Sequence, residues 1–331
     1  MDDLTARMAD LSPDRHRLVE RLLRADGTAD ATGAHAPSPR PPSLTADGEP
    51  GRSDAGLGAA ALALGAEAAA GPEQVKAATR RFYDAVSRHL TESPAGSYAM
   101  FLNFGYAADG SPEYARVALP ERCLNRNCIK LVLETIGDAD VAGCRVLDVG
   151  CGRGGTVHVL ATYFAPARVV GLDLSPSAIA FCRARHRFDG VEFMQGDAER
   201  LPFEDASFDV VTNVESSHSY PTIDRFYAEV ARVLVPGGAF LYTDLFATAD
   251  YAARTRQLAA HGLAIELERD ITRNVLRSCD ETARVHGQAF RYQGGAALMQ
   301  SFLGVPGSQV YDEMRSGRST YRILRARRLR G

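Results

Sequence analysis

The chain has 331 residues, of which 45% are hydrophobic and 24% charged, with a formal net charge of −3. This composition is typical of a globular protein with one large domain or two small ones, and the weak charge argues against nucleic acid as a partner. No apolar run of about 18 residues and no secretory signal can be recognised, which predicts a cytoplasmic chain without stable membrane insertion.

The first 72 residues divide into two segments. Residues 1–24 contain a Ser-Pro helix start and leucines at helical spacing, which predicts a short helix. The segment is interpreted as either a surface helix or a docking helix, since it resembles linkers that flank polyketide and peptide synthase modules. Residues 25–72 are rich in Ala, Gly, Pro and Ser and include PSPRPPS, so we predict a disordered linker. The folded domain is predicted to begin near Glu73.

From Glu73 onward the pattern changes twice. Residues 73–136 read as helices around a mixed aromatic segment, and from residue 137 to 273 compact apolar strands alternate with amphipathic helices. Residues 274–315 read as a helical insertion, and 316–331 hold a last alternating strand. Alternation of this kind predicts an α/β fold with a Rossmann-like parallel sheet covered on both faces. The predicted strands cover 144–150, 167–174, 191–197, 208–215, 237–246, 263–272 and 319–329.

A glycine-rich loop, LDVGCGRGG at 147–155, leaves the first strand and enters a helix. Gly150 and Gly152 permit a tight turn and close approach of the backbone to a ligand. Alone, this loop is a weak signal, because dinucleotide-binding folds share it.

Acids follow three successive strands. Asp148 precedes the loop and would suit a cationic amino-acid group rather than a pyrophosphate. Asp173 ends the second strand, where a carboxylate accepts two hydrogen bonds from a ribose diol, and Asp197 ends the third, where an adenine amino group would lie. Each aspartate alone is equally compatible with a strand-end cap. Three together indicate a ligand site, because ligands bind at the carboxyl edge of an open parallel sheet.

In order and spacing, DVGCGRGG, GLDLSPSAI, GDAERLPF, FDVVTNVES and VLVPGGAF resemble the motifs of class I S-adenosylmethionine-dependent methyltransferases. The resemblance covers residues 73–331. It implies a seven-stranded sheet with an antiparallel last strand, a lid of N-terminal helices, and S-adenosylmethionine as cofactor. The positions that it assigns to cofactor binding are Tyr83, Asp148, Gly150, Cys151, Gly152, Asp173, Leu174, Asp197, Ala198 and Asn213.

A narrower resemblance follows from FLNFGYA, NVESSHSYP, RFYAEVARVLVPGG and MRSGRSTYRIL. These stretches are similar to the mycobacterial phthiotriol and phenolphthiotriol dimycocerosate O-methyltransferases and to O-methyltransferase domains of polyketide synthases. The resemblance implies methylation of a hydroxyl group on a polyketide-like small molecule, either free or tethered to an acyl carrier protein. A polyketide synthase module would then be a partner.

A glutamate and a histidine stand three residues apart in NVESSHSYP, just after the fourth strand. Methylation of a hydroxyl needs a base, and the ordinary histidine pKa near 6.5 suits His218 to that role. Either Glu215 or Asp244 can accept a hydrogen bond from the other ring nitrogen and fix its tautomer. The sequence leaves both acids open. Glu215 is also explained by the positive charge of the cofactor, and His218 by a solvated turn.

The substrate pocket is predicted between the lid and the insertion. Its candidate lining residues are aromatic or apolar and include LMQSFLGVP at 298–306. They are Phe104, Tyr106, His286, Met299 and Phe302. His186, in contrast, is predicted to be an exposed helix-end residue.

Three alternatives remain from the sequence. One is methylation at carbon or nitrogen on a lipid-like or small-molecule acceptor, and another is a protein that binds S-adenosylmethionine without catalysis. The third is a nicotinamide-dependent oxidoreductase, for which a hydride-site pair is not evident. Cys123 and Cys128 in CLNRNC lack the usual zinc spacing, so no metal is predicted.

Overall fold

The computed structural model describes residues 71–92, 96, 98–109, 117–120, 123–286 and 304–330. The predicted docking helix at 1–24, most of the predicted linker at 25–72, and part of the insertion at 274–315 lie outside the described residues. No helix in the described ranges is long and apolar enough to cross a membrane.

The described chain forms eight helices and seven strands in one sheet. The helices are α1 Pro72–Glu92, α2 Arg126–Ile136, α3 Gly155–Tyr163, α4 Pro176–Arg185, α5 Ile223–Val233, α6 Tyr251–Ala260, α7 Thr272–His286 and α8 Gln309–Arg315. The strands are β1 Arg145–Val149, β2 Arg168–Asp173, β3 Val191–Gln195, β4 Phe208–Val214, β5 Leu234–Ala247, β6 Leu263–Asp270 and β7 Ser319–Arg328. A single 3₁₀ turn at Ser217–Ser219 follows β4.

The sheet has the strand order β3-β2-β1-β4-β5-β7-β6. Strands β1 to β5 pair in parallel, and β7 runs antiparallel between β5 and β6. This is the seven-stranded Rossmann-like sheet with an antiparallel last strand that the sequence resemblance implied. From β1 the strand order runs one way through β2 to β3 and the other way to β4 and β5. An open α/β sheet binds ligands where the order reverses, which here is between β1 and β4.

Two apolar clusters cover the two faces of the sheet, because β1, β2, β4 and β5 are nearly continuous apolar runs. On one face α5 and α6 pack through residues such as Phe226 and Leu258, and on the other α2, α3 and α4 pack through residues such as Val132 and Leu160. A third cluster joins α7, α8 and β7 around Tyr321. Burial on both faces fixes the positions of the strand ends, from which the polar loops of the site project.

The N-terminal helix α1 lies against the sheet domain through one face. Its buried apolar side chains are Ala78, Phe82, Ala85 and Val86, which recur at helical spacing. Asp84 of α1 accepts hydrogen bonds from the Ser175 hydroxyl and the Ser177 backbone N–H at the start of α4. The helix is therefore anchored to the domain beside the carboxyl ends of the strands.

Candidate active site

A cavity of about 340 Å³ opens at the carboxyl ends of β1, β2 and β4. Its floor is the glycine loop after β1 together with the segments that follow β2, β3 and β4. Residues of helix α1 and the segment 100–104 line it as well, together with Leu245 and Val310. Most of the lining surface is apolar, so the polar groups that reach the cavity define what it can bind.

The glycine loop adopts the backbone conformation that the sequence predicted. Gly150 and Gly152 have φ values of 71° and 53°, in the region that side-chain-bearing residues rarely adopt. A methyl group at Gly150 would overlap Ser216 Oγ and the Tyr220 hydroxyl. Gly150, Cys151 and Gly152 all line the cavity.

Asp173 lies at the end of β2 and reaches the cavity next to Leu174. Its Oδ2 accepts a hydrogen bond from the Gly152 N–H at 2.8 Å, and its Oδ1 accepts one from the Ser175 N–H at 2.8 Å. Burial raises the pKa of this carboxyl above its usual value, against the effect of those backbone donors. Each oxygen retains an acceptor position, which matches the two hydroxyls of a ribose.

Asp197 and Ala198, after β3, also line the cavity. Lys76 of α1 lines the cavity too, although it was not among the predicted site residues, and its Nζ lies 2.7 Å from Asp197 Oδ2 and 2.9 Å from Glu199 Oε2. A lysine on an amphipathic helix reads as a solvated residue, so nothing in the pattern revealed this contact. The part of the cavity beyond β3 is thus bordered by a lysine shared between two acids.

Asp148 and Asn213 lie behind the cavity wall and do not reach its surface. Asp148 Oδ1 accepts a hydrogen bond from the Thr212 hydroxyl at 2.7 Å, while Oδ2 is buried without a hydrogen-bond partner among the described residues. Burial raises the pKa of Asp148 to about 7. Asn213 Nδ2 donates to Val149 O at 2.8 Å and to Ser216 Oγ at 2.8 Å, and it holds the loop after β4 against β1.

His218 lies in the turn after β4, and its side chain is 35% exposed at the cavity. Its Nδ1 lies 2.7 Å from Oδ1 of Asp244, a fully buried residue of β5. Because a carboxylate only accepts, Nδ1 carries the proton and Nε2 is the free basic nitrogen. Asp244 is itself fixed by the Ser217 hydroxyl and by the backbone N–H groups of His218 and Leu245.

The pKa values of this pair shift in opposite directions. Burial lowers the pKa of His218, but the charge and hydrogen bond of Asp244, with a contribution from Glu215, outweigh burial and leave it raised. Burial raises the pKa of Asp244, yet the histidine charge and the hydrogen bonds hold it below its usual value. The two residues therefore behave as a coupled His–Asp pair with a basic imidazole.

Glu215 lines the same cavity but has no hydrogen bond to the His218 ring among the contacts that the structure describes. Its Oε2 accepts from the backbone N–H of Phe104 at 2.8 Å and from the hydroxyl of Tyr321. The question that the sequence left open is thus answered by geometry: the acid bound to His218 is Asp244.

Of the remaining predicted residues, some line the cavity, one lies in the core, and the others lie outside the described part of the chain. Tyr83 and Phe104 line the cavity, and the Tyr83 hydroxyl lies 3.2 Å from Ser219 Oγ. Tyr106 is 1% exposed and packs in the third cluster instead of reaching the cavity. Met299, Phe302 and the side chain of His286 lie outside the described part of the chain.

Arg153, within the glycine loop, is a second residue that the sequence analysis missed. It is fully buried, and its guanidinium donates to Ser87 O, Gly96 O, Ala99 O and the hydroxyls of Ser87 and Thr91. It also stacks 3.5 Å from the centre of the Phe181 ring. Arg153 therefore joins the glycine loop to α1.

The prediction that His186 is exposed is wrong. The residue is 7% exposed, and its Nε2 lies 2.9 Å from the backbone oxygen of Arg153. Its ring also packs against Phe181, Phe188 and Phe193. An apolar surface below the glycine loop accounts for this burial, and the helix pattern alone does not reveal it.

Comparison with known proteins identifies the family. A methyltransferase domain model matches residues 147–242. A fatty-acid O-methyltransferase of Mycolicibacterium smegmatis is 41% identical over 240 residues, covering 72% of this chain and 86% of that protein. A phthiotriol/phenolphthiotriol dimycocerosates methyltransferase of Mycobacterium tuberculosis is 39% identical over 242 residues, covering 71% and 87%.

A solved structure shows the same fold at lower identity. Geranyl diphosphate C-methyltransferase from Streptomyces coelicolor, in complex with S-adenosyl-L-homocysteine, superimposes with a TM-score of 0.54. The match has 18% identity and covers 75% of this chain and 98% of that one. From these relatives and the shared fold, the chain belongs to the S-adenosylmethionine-dependent methyltransferases and is an enzyme that uses S-adenosylmethionine as cofactor.

Proposed function

We propose that this enzyme methylates a hydroxyl oxygen on a lipid-like or polyketide-like acceptor, with His218 as the general base. The single observation that carries the proposal is the 2.7 Å contact between His218 Nδ1 and Asp244 Oδ1 at the edge of the apolar cavity. A hydroxyl is a poor nucleophile at neutral pH, and a positioned base removes its proton as the new bond forms.

The mechanism assigns separate tasks to these two residues. S-adenosylmethionine, when bound, supplies an electrophilic methyl group on a positively charged sulfur. His218 Nε2 accepts the proton of the acceptor hydroxyl, and the resulting imidazolium is stabilised by Asp244, which stays ionised. The cavity walls, including Phe104, Val214 and Leu245, exclude water and orient the acceptor oxygen for in-line approach.

For cofactor binding, we assign the residues along the glycine loop and the ends of β2 and β3. Asp173 retains one acceptor position on each carboxyl oxygen for the ribose hydroxyls. Asp148 Oδ2 is buried without a hydrogen-bond partner among the described residues, but it lies behind the cavity wall, so we assign it an electrostatic effect on a cationic amino group and no direct contact. Asp197 and Ala198 border the adenine, and Tyr83 and Leu174 complete the wall.

Asp173→Ala is expected to weaken S-adenosylmethionine binding by about 10²- to 10⁴-fold, since two hydrogen bonds to a charged group are lost, each contributing about 1.5–3 kcal/mol. Isothermal titration calorimetry measures the change. Asp189→Ala, at an exposed acid away from the cavity, is the matched control and should bind as the wild type does. Equal affinity for both variants would contradict the ribose assignment.

The charges around the cavity favour a neutral hydroxyl over a carboxylate acceptor. Asp173, Asp197 and Glu199 all line it, and Lys76 is already paired with the last two. A carboxylate acceptor would also lie beside Glu215, without a free lysine among the described lining residues, and it would need no base. The second candidate remains the carboxyl oxygen of a fatty acid, because one relative is named as a fatty-acid O-methyltransferase.

We further propose that the acceptor reaches the enzyme while it is tethered to an acyl carrier protein. A polyketide chain tethered to an acyl carrier protein is compatible with an apolar cavity that opens at the strand ends. The synthase-like segment at 1–24, which lies outside the described residues, is the sequence feature that supports a carrier protein and a synthase module as partners. Methylation at carbon or nitrogen is less favoured, since the His–Asp pair matches proton removal from oxygen.

The experiment compares acceptors of matched chain length by mass spectrometry in the presence of S-adenosylmethionine. We expect a gain of one methyl group on a long-chain secondary alcohol and on hydroxyacyl carrier protein, with little on the free fatty acid. Methylation of the free acid alone would instead support the second candidate. Methyl transfer only to carbon or nitrogen would overturn the proposal.

A further inference from the structure

Glu215 is held by two donors from parts of the chain that are distant in sequence. Its Oε2 accepts from the Phe104 N–H at 2.8 Å, in the segment 100–104 that lines the cavity, and from the hydroxyl of Tyr321 in β7. Tyr321 is fully buried. The carboxyl plane is therefore fixed by the fold, as expected for a side chain that must present one oxygen in a defined direction.

The backbone at Glu215 supports the same conclusion. Its φ is 53°, in the left-handed region that costs a residue with a side chain about 1–2 kcal/mol. The Glu215 N–H still donates to Thr243 O at 2.7 Å, which continues the pairing of β4 with β5. Unusual backbone of this kind concentrates at functional sites, where the surrounding structure holds it.

The second carboxyl oxygen, Oε1, is the one available to a ligand. Glu215 lines the cavity, and no hydrogen bond to Oε1 occurs among the described residues. Burial raises the pKa of Glu215 to about 8, against the effects of Tyr321, Phe104 and His218. Since Oε2 already receives two donors, the proton of the neutral acid is placed on Oε1, which then donates into the cavity.

We propose that Glu215 binds a second oxygen atom of the acceptor, so that the preferred acceptors carry a carbonyl or another oxygen close to the hydroxyl that is methylated. This inference rests on the proposed function, because His218 and Glu215 are assigned to two oxygens of one molecule. Both residues come from one short turn after β4 and line one cavity. A β-hydroxyacyl group presents such a pair of oxygens on an apolar chain.

An alternative role for the same residue is electrostatic. An ionised Glu215 would attract the positive sulfur of the cofactor and would not select among acceptors. The two roles respond differently to Glu215→Gln. The amide keeps an acceptor for Phe104 and Tyr321 and places an N–H donor where Oε1 lies, but it carries no charge.

The test measures kcat/KM for two acceptors of equal chain length. One is the methyl ester of a β-hydroxy fatty acid, and the other is the secondary alcohol that lacks the carbonyl group. We expect the wild type to prefer the hydroxy ester by about tenfold or more, the size of one hydrogen bond to a neutral donor. Glu215→Gln should keep most of this preference, and Glu215→Ala should reduce it to about one.

Tyr321→Phe serves as the matched second variant, because it removes a donor to Oε2 while keeping the ring. Its preference should fall between those of the wild type and Glu215→Ala, and thermal unfolding shows whether each variant is folded. Equal wild-type rates on both acceptors, a preference that survives Glu215→Ala, or a loss in Glu215→Gln as large as in Glu215→Ala would each overturn the inference. Failure of the wild type to methylate either acceptor would overturn the proposed function together with it.

Discussion

His218→Ala is expected to lower kcat by about 10²- to 10⁴-fold, the usual contribution of a general base. The affinity for S-adenosylmethionine should stay within about threefold of the wild type, because the histidine acts on the acceptor. The physical reason is that the imidazole, with Nδ1 held by Asp244 at 2.7 Å, presents its basic nitrogen at a cavity whose lining is mostly apolar. Steady-state kinetics with a hydroxylated acceptor, together with calorimetry for the cofactor, measures both quantities.

A second histidine provides a matched control. The side chain of His261 is 26% exposed and its Nε2 lies 3.0 Å from Asp224, but it stands at the end of α6, away from the cavity. His261→Ala also removes a histidine from a carboxylate partner and should retain wild-type turnover. Near-equal rates for the two variants would exclude His218 as the base.

The pH dependence of turnover shows which protonation state of His218 is active. The base acts in its neutral form, and the pKa of His218 is raised, so activity should be lost as pH falls through a value above about 6.5. Asp244→Asn removes the charge that raises this pKa, and its amide can donate to Nδ1 and place the ring proton on Nε2. We expect turnover to fall at least about tenfold, by analogy with triads that lose the orienting carboxylate.

Arg153→Met is expected to reduce the free energy of unfolding by about 3 kcal/mol or more. Methionine fills similar volume but leaves the carbonyls of Ser87, Gly96 and Ala99 without their charged donor, and hydrogen bonds to a charged group contribute about 1.5–3 kcal/mol each. Removal of a buried charge, for which the described residues provide no carboxylate partner, offsets part of that loss.

The corresponding change in Tm is about 6–12 °C, at about 2–4 °C per kcal/mol for a domain of this size. Burial lowers the pKa of Arg153 to about 10, so the guanidinium stays charged at neutral pH. Arg145→Met removes another arginine, one that is paired with Asp209 but 45% exposed, and should change stability by about 1 kcal/mol or less. Similar Tm values for the two variants would refute the role of Arg153 as the link between loop and helix.

Much of the fold follows from short-range patterns in the sequence. Apolar runs with polar ends predicted β1, β2 and β4 within one or two residues, because strands buried on both faces exclude polar side chains. Errors occur where neighbouring elements meet. For example, β5 begins at Leu234, which pairs with Phe208, rather than at Gly237.

The site was less predictable because its contacts depend on strand register and on pairs distant in sequence. The pairing of Val214 with Thr243 brings Asp244 beside the turn that carries His218, and no local pattern contains that register. Glu215 turns away from the histidine because its backbone is left-handed and Tyr321 binds its carboxyl group. The contacts of Lys76 and Arg153 were not predictable either, since a charged residue in a helix or loop pattern is usually solvated.

The antiparallel strand β7 lies between β5 and β6 and hydrogen-bonds to both. During synthesis on the ribosome β6 is made before β7. Among the described strands, β7 is the only neighbour of β6 in the sheet. β6 can therefore join the sheet only after residues 319–328 have been translated. The position of the Glu215 carboxyl group depends on the same strand, because Tyr321, which donates a hydrogen bond to it, belongs to β7. In a nascent chain, the parallel strands β1 to β5 are therefore complete before Glu215 has the partner that fixes its carboxyl group.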